Sequence, residues 1–248
     1  MNCLSNDLKI NLLLKVYLTD SAVLNFVKTC KSQYQCITKY KLKNWITFHQ
    51  LTLYKTCIVT KVYNVKNSNQ LKRIPNSVTR LAFDYYFNEP INITDLPQSL
   101  CYLSLGFSFN QPLDHLPNSI TNLQIGHPDF DQGIDKLPNS ITHLKFGDGF
   151  ISIIDNLPNS ITHLTLGYYF NQPIDNLPDS ITHLILGWKF NQSIEHLPNY
   201  ITHLTLDYSF DKPINNLPNS ITHLTLDHTF NQPIDHLPKC IQISIVKF

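Results

Sequence analysis

Leu157-Pro158-Asn159-Ser160-Ile161-Thr162-His163-Leu164-Thr165-Leu166-Gly167-Tyr168-Tyr169-Phe170-Asn171-Gln172-Pro173-Ile174-Asp175-Asn176 is one of a series of near copies, and the series decides the fold. Its Leu-Pro start recurs at Leu96, Leu116, Leu137, Leu157, Leu177, Leu197, Leu217 and Leu237, with Ile74-Pro75 as the first member. Successive starts are 22, 20, 21, 20, 20, 20, 20 and 20 residues apart. A fixed period of this length is the mark of a solenoid, in which each unit is too small to bury its own apolar face and does so against its neighbours.

Each part of the unit has a physical role. Proline with Asn-Ser makes a turn. Thr162, Leu164 and Leu166 alternate with His163 and Thr165, the period of two that belongs to a strand with one buried face. Glycine follows the strand at positions 106, 126, 147, 167 and 187, and Asp84, Asp207 and Asp227 replace it elsewhere, which predicts a sharp turn out of the strand. Phe87, Phe109, Phe130, Phe150, Phe170, Phe190, Phe210 and Phe230 predict a buried aromatic column. The second proline of the unit leaves no room for a regular helix on the return path. The two longer units carry insertions within Asn92 to Asp95 and His127 to Asp129, places where extra residues lengthen a loop without shifting strands. Nine strands at ~4.8 Å predict a parallel sheet about 40 Å long. In Cys240 to Phe248 the apolar residues Ile241, Ile243 and Ile245 come one residue early relative to Leu-Pro, which reads as a terminal cap strand.

The motif Phe170-Asn171-Gln172-Pro173-Ile174, repeated at Phe230-Asn231-Gln232-Pro233-Ile234, resembles the FNIP repeat, a relative of leucine-rich repeats. The match runs from Ile74 to about Pro238; Phe130-Asp131-Gln132-Gly133, Phe150-Ile151-Ser152-Ile153 and Phe190-Asn191-Gln192-Ser193 lack its proline, which bears on local loop shape. Such proteins are common in amoebae and in the large DNA viruses that infect them. The resemblance implies a protein-interaction role and supplies no catalytic residues.

Charge divides the chain. Lys and Arg number 12 against two acids through Arg73, and 7 against 16 beyond it, so two parts with different partners are expected. In the basic part, Leu4, Leu8 and Leu12 fall at helical spacing, Thr19-Asp20-Ser21 gives a break and cap, and Val23, Phe26, Val27 and Cys30 mark a second helix. A third runs from Tyr34 toward Trp45, and Cys57 to Val65, rich in β-branched residues, reads as a strand covering the first end of the solenoid. The segment from Leu4 to Lys31 resembles a degenerate F-box, with serine after Leu4 and Tyr34 near the usual tryptophan. That resemblance implies docking to a Skp-type adaptor of a cullin ubiquitin ligase through Leu4, Leu8, Leu18 and Phe26; the other reading is a helical cap for the solenoid. The predicted class is thus α+β: residues 1–45 an F-box-like helical domain, 46–73 a linker and capping strand, 74–236 eight leucine-rich-repeat-like units, and 237–248 a cap strand.

Hydrophobic residues at 42% and charged residues at 15% describe a globular chain, and no apolar run approaches a membrane span. Asp7, Lys9 and Lys15 interrupt the first apolar stretch, which argues against a secretory signal. Six cysteines without C-x-x-C pairs read as reduced thiols in a cytoplasmic protein, the host cytoplasm if viral. Ser, His and Asp recur in every unit, and that repetition argues for architecture over a catalytic triad, so no enzyme activity and no cofactor are expected. The basic N-terminal part fits no nucleic-acid motif, so a protein partner is expected rather than nucleic acid or membrane.

Candidate binding residues fall in two rows. The outward strand position holds Arg80, Tyr102, Asn122, His143, His163, His183, His203 and His223. In-register stacking puts the imidazoles about 5 Å apart on the concave face, with no third ligand at a fixed offset for a metal. The residue after the glycine position is mostly aromatic, as in Tyr168, Trp188 and Tyr208; these rings either form an exposed hot-spot rim or pack under the turn, as strand parity implies. The asparagines after the phenylalanines, such as Asn110 and Asn171, read as a buried amide ladder that satisfies loop backbone groups, in preference to a ligand site.

Overall fold

The computed structural model describes residues 46–47 and 61–247. Leu4, Leu8, Leu18, Phe26 and the whole predicted helical domain lie outside the described residues.

Eleven strands form one parallel sheet in strict sequence order. They are β1 (Ile46–Thr47), β2 (Lys61–Val65), β3 (Arg80–Phe83), β4 (Tyr102–Leu105), β5 (Asn122–Ile125), β6 (His143–Phe146), β7 (His163–Thr165), β8 (His183–Leu186), β9 (His203–Leu206), β10 (His223–Asp227) and β11 (Gln242–Val246). From β4 to β10 each residue pairs with its own counterpart: Asn122 with His143, His143 with His163, Leu164 with Leu184. The insertion at His127 to Asp129 therefore leaves register untouched, because it is absorbed where Asp129 N–H donates to His127 Nδ1 at 3.0 Å. The other insertion winds into a short 3₁₀ turn, Ile93–Asp95, capped by Asn92. Helix is otherwise almost absent among the described residues. The single α-helical turn, α1 (Ser68–Leu71), precedes the first full unit, and Asn67 caps it by accepting from Gln70 N–H.

The core is continuous. Each unit contributes the aliphatic residue that ends its proline turn (Val78, Leu100, and Ile in the later units), two strand residues and the phenylalanine, as with Ile161, Leu164, Leu166 and Phe170, all at most 1% exposed. Phenylalanine rings of successive units stack at 6.0–6.3 Å between centroids. Each turn closes by an N–H bond from that aliphatic residue to the proline carbonyl, for example Ile181 to Pro178 at 3.1 Å.

Three expectations change. No glycine has a positive φ, so the glycine after the strand is not there for backbone freedom. It is there for close approach: a Cβ at Gly167 would sit 2.1 Å from the Gly147 carbonyl oxygen, and one at Gly106 2.1 Å from that of Asp84. The aspartates at the same position turn back as acceptors, Asp84 Oδ1 to Tyr86 N–H at 3.0 Å and Asp227 Oδ1 to Thr229 N–H at 2.9 Å. Second, β2 is not the first strand, since β1 pairs in parallel beyond it; Asn64 adopts φ 64° inside β2, at a shift of register between Val62 and Val65. Third, β11 recovers register by losing one residue, so that Ile243 and Ile245 pair with Leu224 and Leu226. Nothing among the described residues covers it: Ile245 is 64% exposed, and the strand is an open edge more than a lid.

Candidate functional site

The outward residues of the strands build a continuous face. His143, His163, His183, His203 and His223 stack ring on ring, with centroids 4.1–4.2 Å apart and planes within 13° of parallel. The spacing is smaller here than along the phenylalanine column on the other side of the sheet. The units therefore splay toward the core side, and the histidine face is the concave one.

Threonine sets each ring. Thr162 Oγ1 lies 2.9 Å from His163 Nδ1 and 3.1 Å from the Thr142 carbonyl oxygen, and the same triad recurs at Thr142, Thr182, Thr202 and Thr222. Sequence reading did not find this bond; the recurring Thr-His dipeptide was its signal. Protonation is disfavoured at the three middle rings. Burial, followed by the charges His143, His183 and His203 would carry, lowers His163 from 6.5 to about 4. His183 and His203 are lowered as well, burial again leading and neighbouring imidazoles following.

The row continues N-terminally with Asn122 and Tyr102, whose hydroxyl donates to Gln124 Oε1 at 3.2 Å, and then Arg80, whose guanidinium carbon is 5.5 Å from the Tyr102 ring centroid. Tyr102, Asn122, Gln124, His143, Lys145 and His163 border a shallow open depression where the histidine run meets Asn122 and Tyr102. Lys145 and Gln124, on the second outward position, were not singled out in the sequence; a non-repeating residue within a repeat was the available signal.

The residues after the glycine position form a second row along the rim. Tyr168 stacks on Trp188 at 5.4 Å and Trp188 on Tyr208 at 4.3 Å; Tyr85 stacks on Phe107 at 4.8 Å. Asp148 separates the two runs. These rings do not pack under the turn: Tyr85 is 51% exposed, Phe107 and Tyr208 44%, and Tyr168 and Trp188 are half-buried between neighbours. The strand ends before them, so its parity no longer sets their direction. The asparagine ladder forms, Asn88 Oδ1 accepting from Asn110 N–H at 2.8 Å and Asn171 Oδ1 from Asn191 N–H at 2.9 Å, but at the surface and not buried.

Among the described residues no three His, Cys, Asp or Glu side chains gather so that they could hold a metal ion, and no helix is long and apolar enough to cross a membrane. The Ser hydroxyls of the repeat serve architecture: Ser160 Oγ donates to the Ile141 carbonyl at 2.7 Å and Ser180 Oγ to that of Ile161 at 2.6 Å, on the core side of the sheet from the histidines. Such a fold, a leucine-rich-repeat-like solenoid, is typically non-enzymatic.

Comparison with known proteins agrees with this geometry. A 55-residue stretch, 21% of this chain and 11% of the relative, is 42% identical to an FNIP repeat-containing protein of Dictyostelium discoideum. The crystal structure of CroV588, described as a novel circular LRR protein, superposes with a TM-score of 0.65 at 39% identity over 75% of this chain and 30% of that one. The chain thus spans less than a third of the length of either protein. The FNIP Repeat family matches residues 67–108, 109–149, 133–169, 151–189, 170–206, 190–216 and 213–243, and the chain belongs to that family.

Proposed function

We propose that the protein is a binding scaffold whose concave face and aromatic rim hold a protein partner in the cytoplasm. One observation carries the reading: two unbroken surface rows, the imidazoles and the Tyr168-Trp188-Tyr208 stack, run along the sheet with nothing from the described residues covering them. Catalysis needs unlike groups converging on one point, whereas these rows repeat like groups along a line. A line of ordered rings suits an extended contact, and half-buried Trp and Tyr are the residue types that anchor protein interfaces.

The finer reading is an adaptor, in which residues 1–45 dock to a Skp-type protein through Leu4, Leu8, Leu18 and Phe26 while the solenoid selects what is brought to the ligase. It rests on the F-box-like pattern in the sequence. The alternative is a stand-alone scaffold with no ligase connection. A photo-crosslinking residue placed at Thr165 or Thr205 on the concave face should capture a protein in cells, and one at Asn156 or Asn216 on the opposite turn should not. Capture from the turn positions alone would overturn the assignment of the face.

A further inference from the structure

The threonine-histidine contacts bear on which ring nitrogen carries the proton. Each threonine hydroxyl has one hydrogen and two acceptors in reach. The carbonyl is already served twice: the Thr142 oxygen accepts from Thr162 N–H at 2.9 Å and His163 N–H at 3.0 Å, and its two lone pairs are then filled. The same pair of N–H bonds ends on the carbonyls of Thr121, Thr162, Thr182 and Thr202. The ring nitrogen is nearer, at 2.9 Å against 3.1–3.3 Å. Asn122 gives an independent check. It occupies the histidine position one unit earlier, and its Oδ1, an atom that can only accept, lies 2.9 Å from Thr121 Oγ1. A hydroxyl that donates to Nδ1 leaves the proton of the neutral imidazole on Nε2, with which no described group pairs.

The charges of the same face have one sign. Lys61, Arg80 and Lys145 stand at outward strand positions, Lys61 directly beside Arg80 in the sheet. None of them makes an ion pair with a described residue. Not one of the 16 acids beyond Arg73 occupies an outward position within a strand, save Asp227 at the end of β10, which is buried and held by Thr229. Self-repulsion in a stack is blind to sign and cannot by itself exclude single acids while admitting single bases. The basic segment before Arg73 carries the wrong charge to cover such a face.

We infer that the concave face is a tautomer-fixed row of N–H donors, the Asn122 amide and the five Nε2–H groups, which with Arg80 and Lys145 takes an extended acidic segment of a partner protein. This rests on the scaffold reading above. Carboxylates and main-chain carbonyls of the segment accept from the row, and Arg80 and Lys145 supply the net charge. Because His163, His183 and His203 are held below the ordinary imidazole value, the middle of the row recognises acceptors without first taking up protons.

The test uses the full chain and a labelled decaglutamate peptide, read by fluorescence anisotropy, with decaglutamine, a single-stranded oligonucleotide and heparin beside it. Decaglutamate should bind in a salt-sensitive way and decaglutamine should not. Thr182→Val with Thr202→Val frees the tautomer, and Arg80→Gln with Lys145→Gln removes charge; each pair should weaken the peptide about tenfold. Since the basic N-terminal segment attracts any polyanion, decaglutamate binding that ignores both pairs overturns the proposal, as does tighter binding of the oligonucleotide or heparin. Long-range ¹H–¹⁵N spectra of the histidines give a readout free of ligand: five Nε2–H tautomers are expected, and Nδ1–H tautomers would overturn the donor row. If the crosslinked partner still binds the concave face but decaglutamate neither binds nor competes, this proposal fails while the scaffold reading stands.

Discussion

Gly167→Ala is the substitution that isolates what the glycine column does. The added Cβ would lie 2.1 Å from the oxygen and 2.5 Å from the carbon of the Gly147 carbonyl, and 2.7 Å from Asp148 Cα. All three are backbone atoms of the neighbouring unit, so relief requires moving β7 away from β6 at its end by more than about 1 Å, against contacts that settle near 3.5–4 Å. Overpacking of this kind costs about 1–3 kcal/mol. Gly133→Ala is the control, because its Cβ meets only the Asp135 carboxylate at 2.5 Å, the free end of a side chain that can turn aside. Both glycines have negative φ, so both substitutions gain the same ~0.4–1 kcal/mol from a stiffer unfolded chain. Asp207 carries a Cβ at the column position but its carboxylate accepts from Tyr208 N–H at 2.6 Å, a compensation alanine lacks. With about 2–4 °C per kcal/mol for a body of this size, the net cost should lower the Tm of Gly167→Ala by a few degrees, up to about 10 °C, and leave that of Gly133→Ala level or slightly raised. Thermal melts followed by circular dichroism measure both. Equal shifts would refute close approach as the reason for the column.

Acid should loosen the histidine row. His163, His183 and His203 have folded values below the unfolded 6.5, so their stability contribution is complete above that pH and is lost as pH falls through the folded values, about 4 in the case of His163; Tm should fall below pH 6.5, and a slope unchanged in His163→Gln with His183→Gln would count against the row as its source. Trp188→Ala removes a ring stacked on both sides, so Tm should drop by the few degrees that ~1 kcal/mol per stack implies, while partner affinity falls by about 2 kcal/mol or more in a titration. A loss of stability without a loss of binding would make the rim structural. For the adaptor reading, the full chain should bind a Skp-type protein at micromolar concentration, and Leu8→Asp with Leu18→Asp should abolish this with an unchanged solenoid melt; no binding by the unaltered chain ends the ligase connection.

The stack was legible because its rules are one-dimensional. Period-two alternation around Leu164 and Leu166, a fixed 20-residue return and a phenylalanine in each unit leave one way to bury the apolar atoms, and that way also puts the histidines in register. What escaped depends on distances between units. The glycine after the strand signals a turn in sequence, yet its reason is a carbonyl 2.1 Å from an absent Cβ, which no single unit contains. The exposure of Tyr208 was open because alternation ends with the strand at Leu206, and the turn, not the pleat, aims the next ring. The Thr-His bond escaped since threonine in a strand has an ordinary propensity reason that conceals a specific one. At the C-terminal edge, the one-residue deletion was seen, but pairing of Ile243 with Leu224 follows only when backbone bonds are counted.

In-register stacking makes every side chain the neighbour of its own counterpart, and this decides which residues each side of the sheet can repeat. Two like charges 4.1 Å apart repel by about 1 kcal/mol in water and about 4 kcal/mol at an effective dielectric of 20, so a long run of charged residues is costly down the concave face at that spacing. A ring that stacks and stays neutral can be repeated there, and His163 with its value near 4 is such a ring at neutral pH. On the far side the units splay apart and water screens them, and there Asp114, Asp135, Asp155, Asp175 and Asp235 do recur. Even so, relief comes from the following unit: Lys136 Nζ reaches Asp114 at 3.2 Å and Asn176 Nδ2 donates to Asp155 at 3.3 Å. Asp114 and its counterparts thereby stand on the convex turns, where the spacing tolerates them, while the concave strand positions keep a few bases and the column of stacked imidazoles.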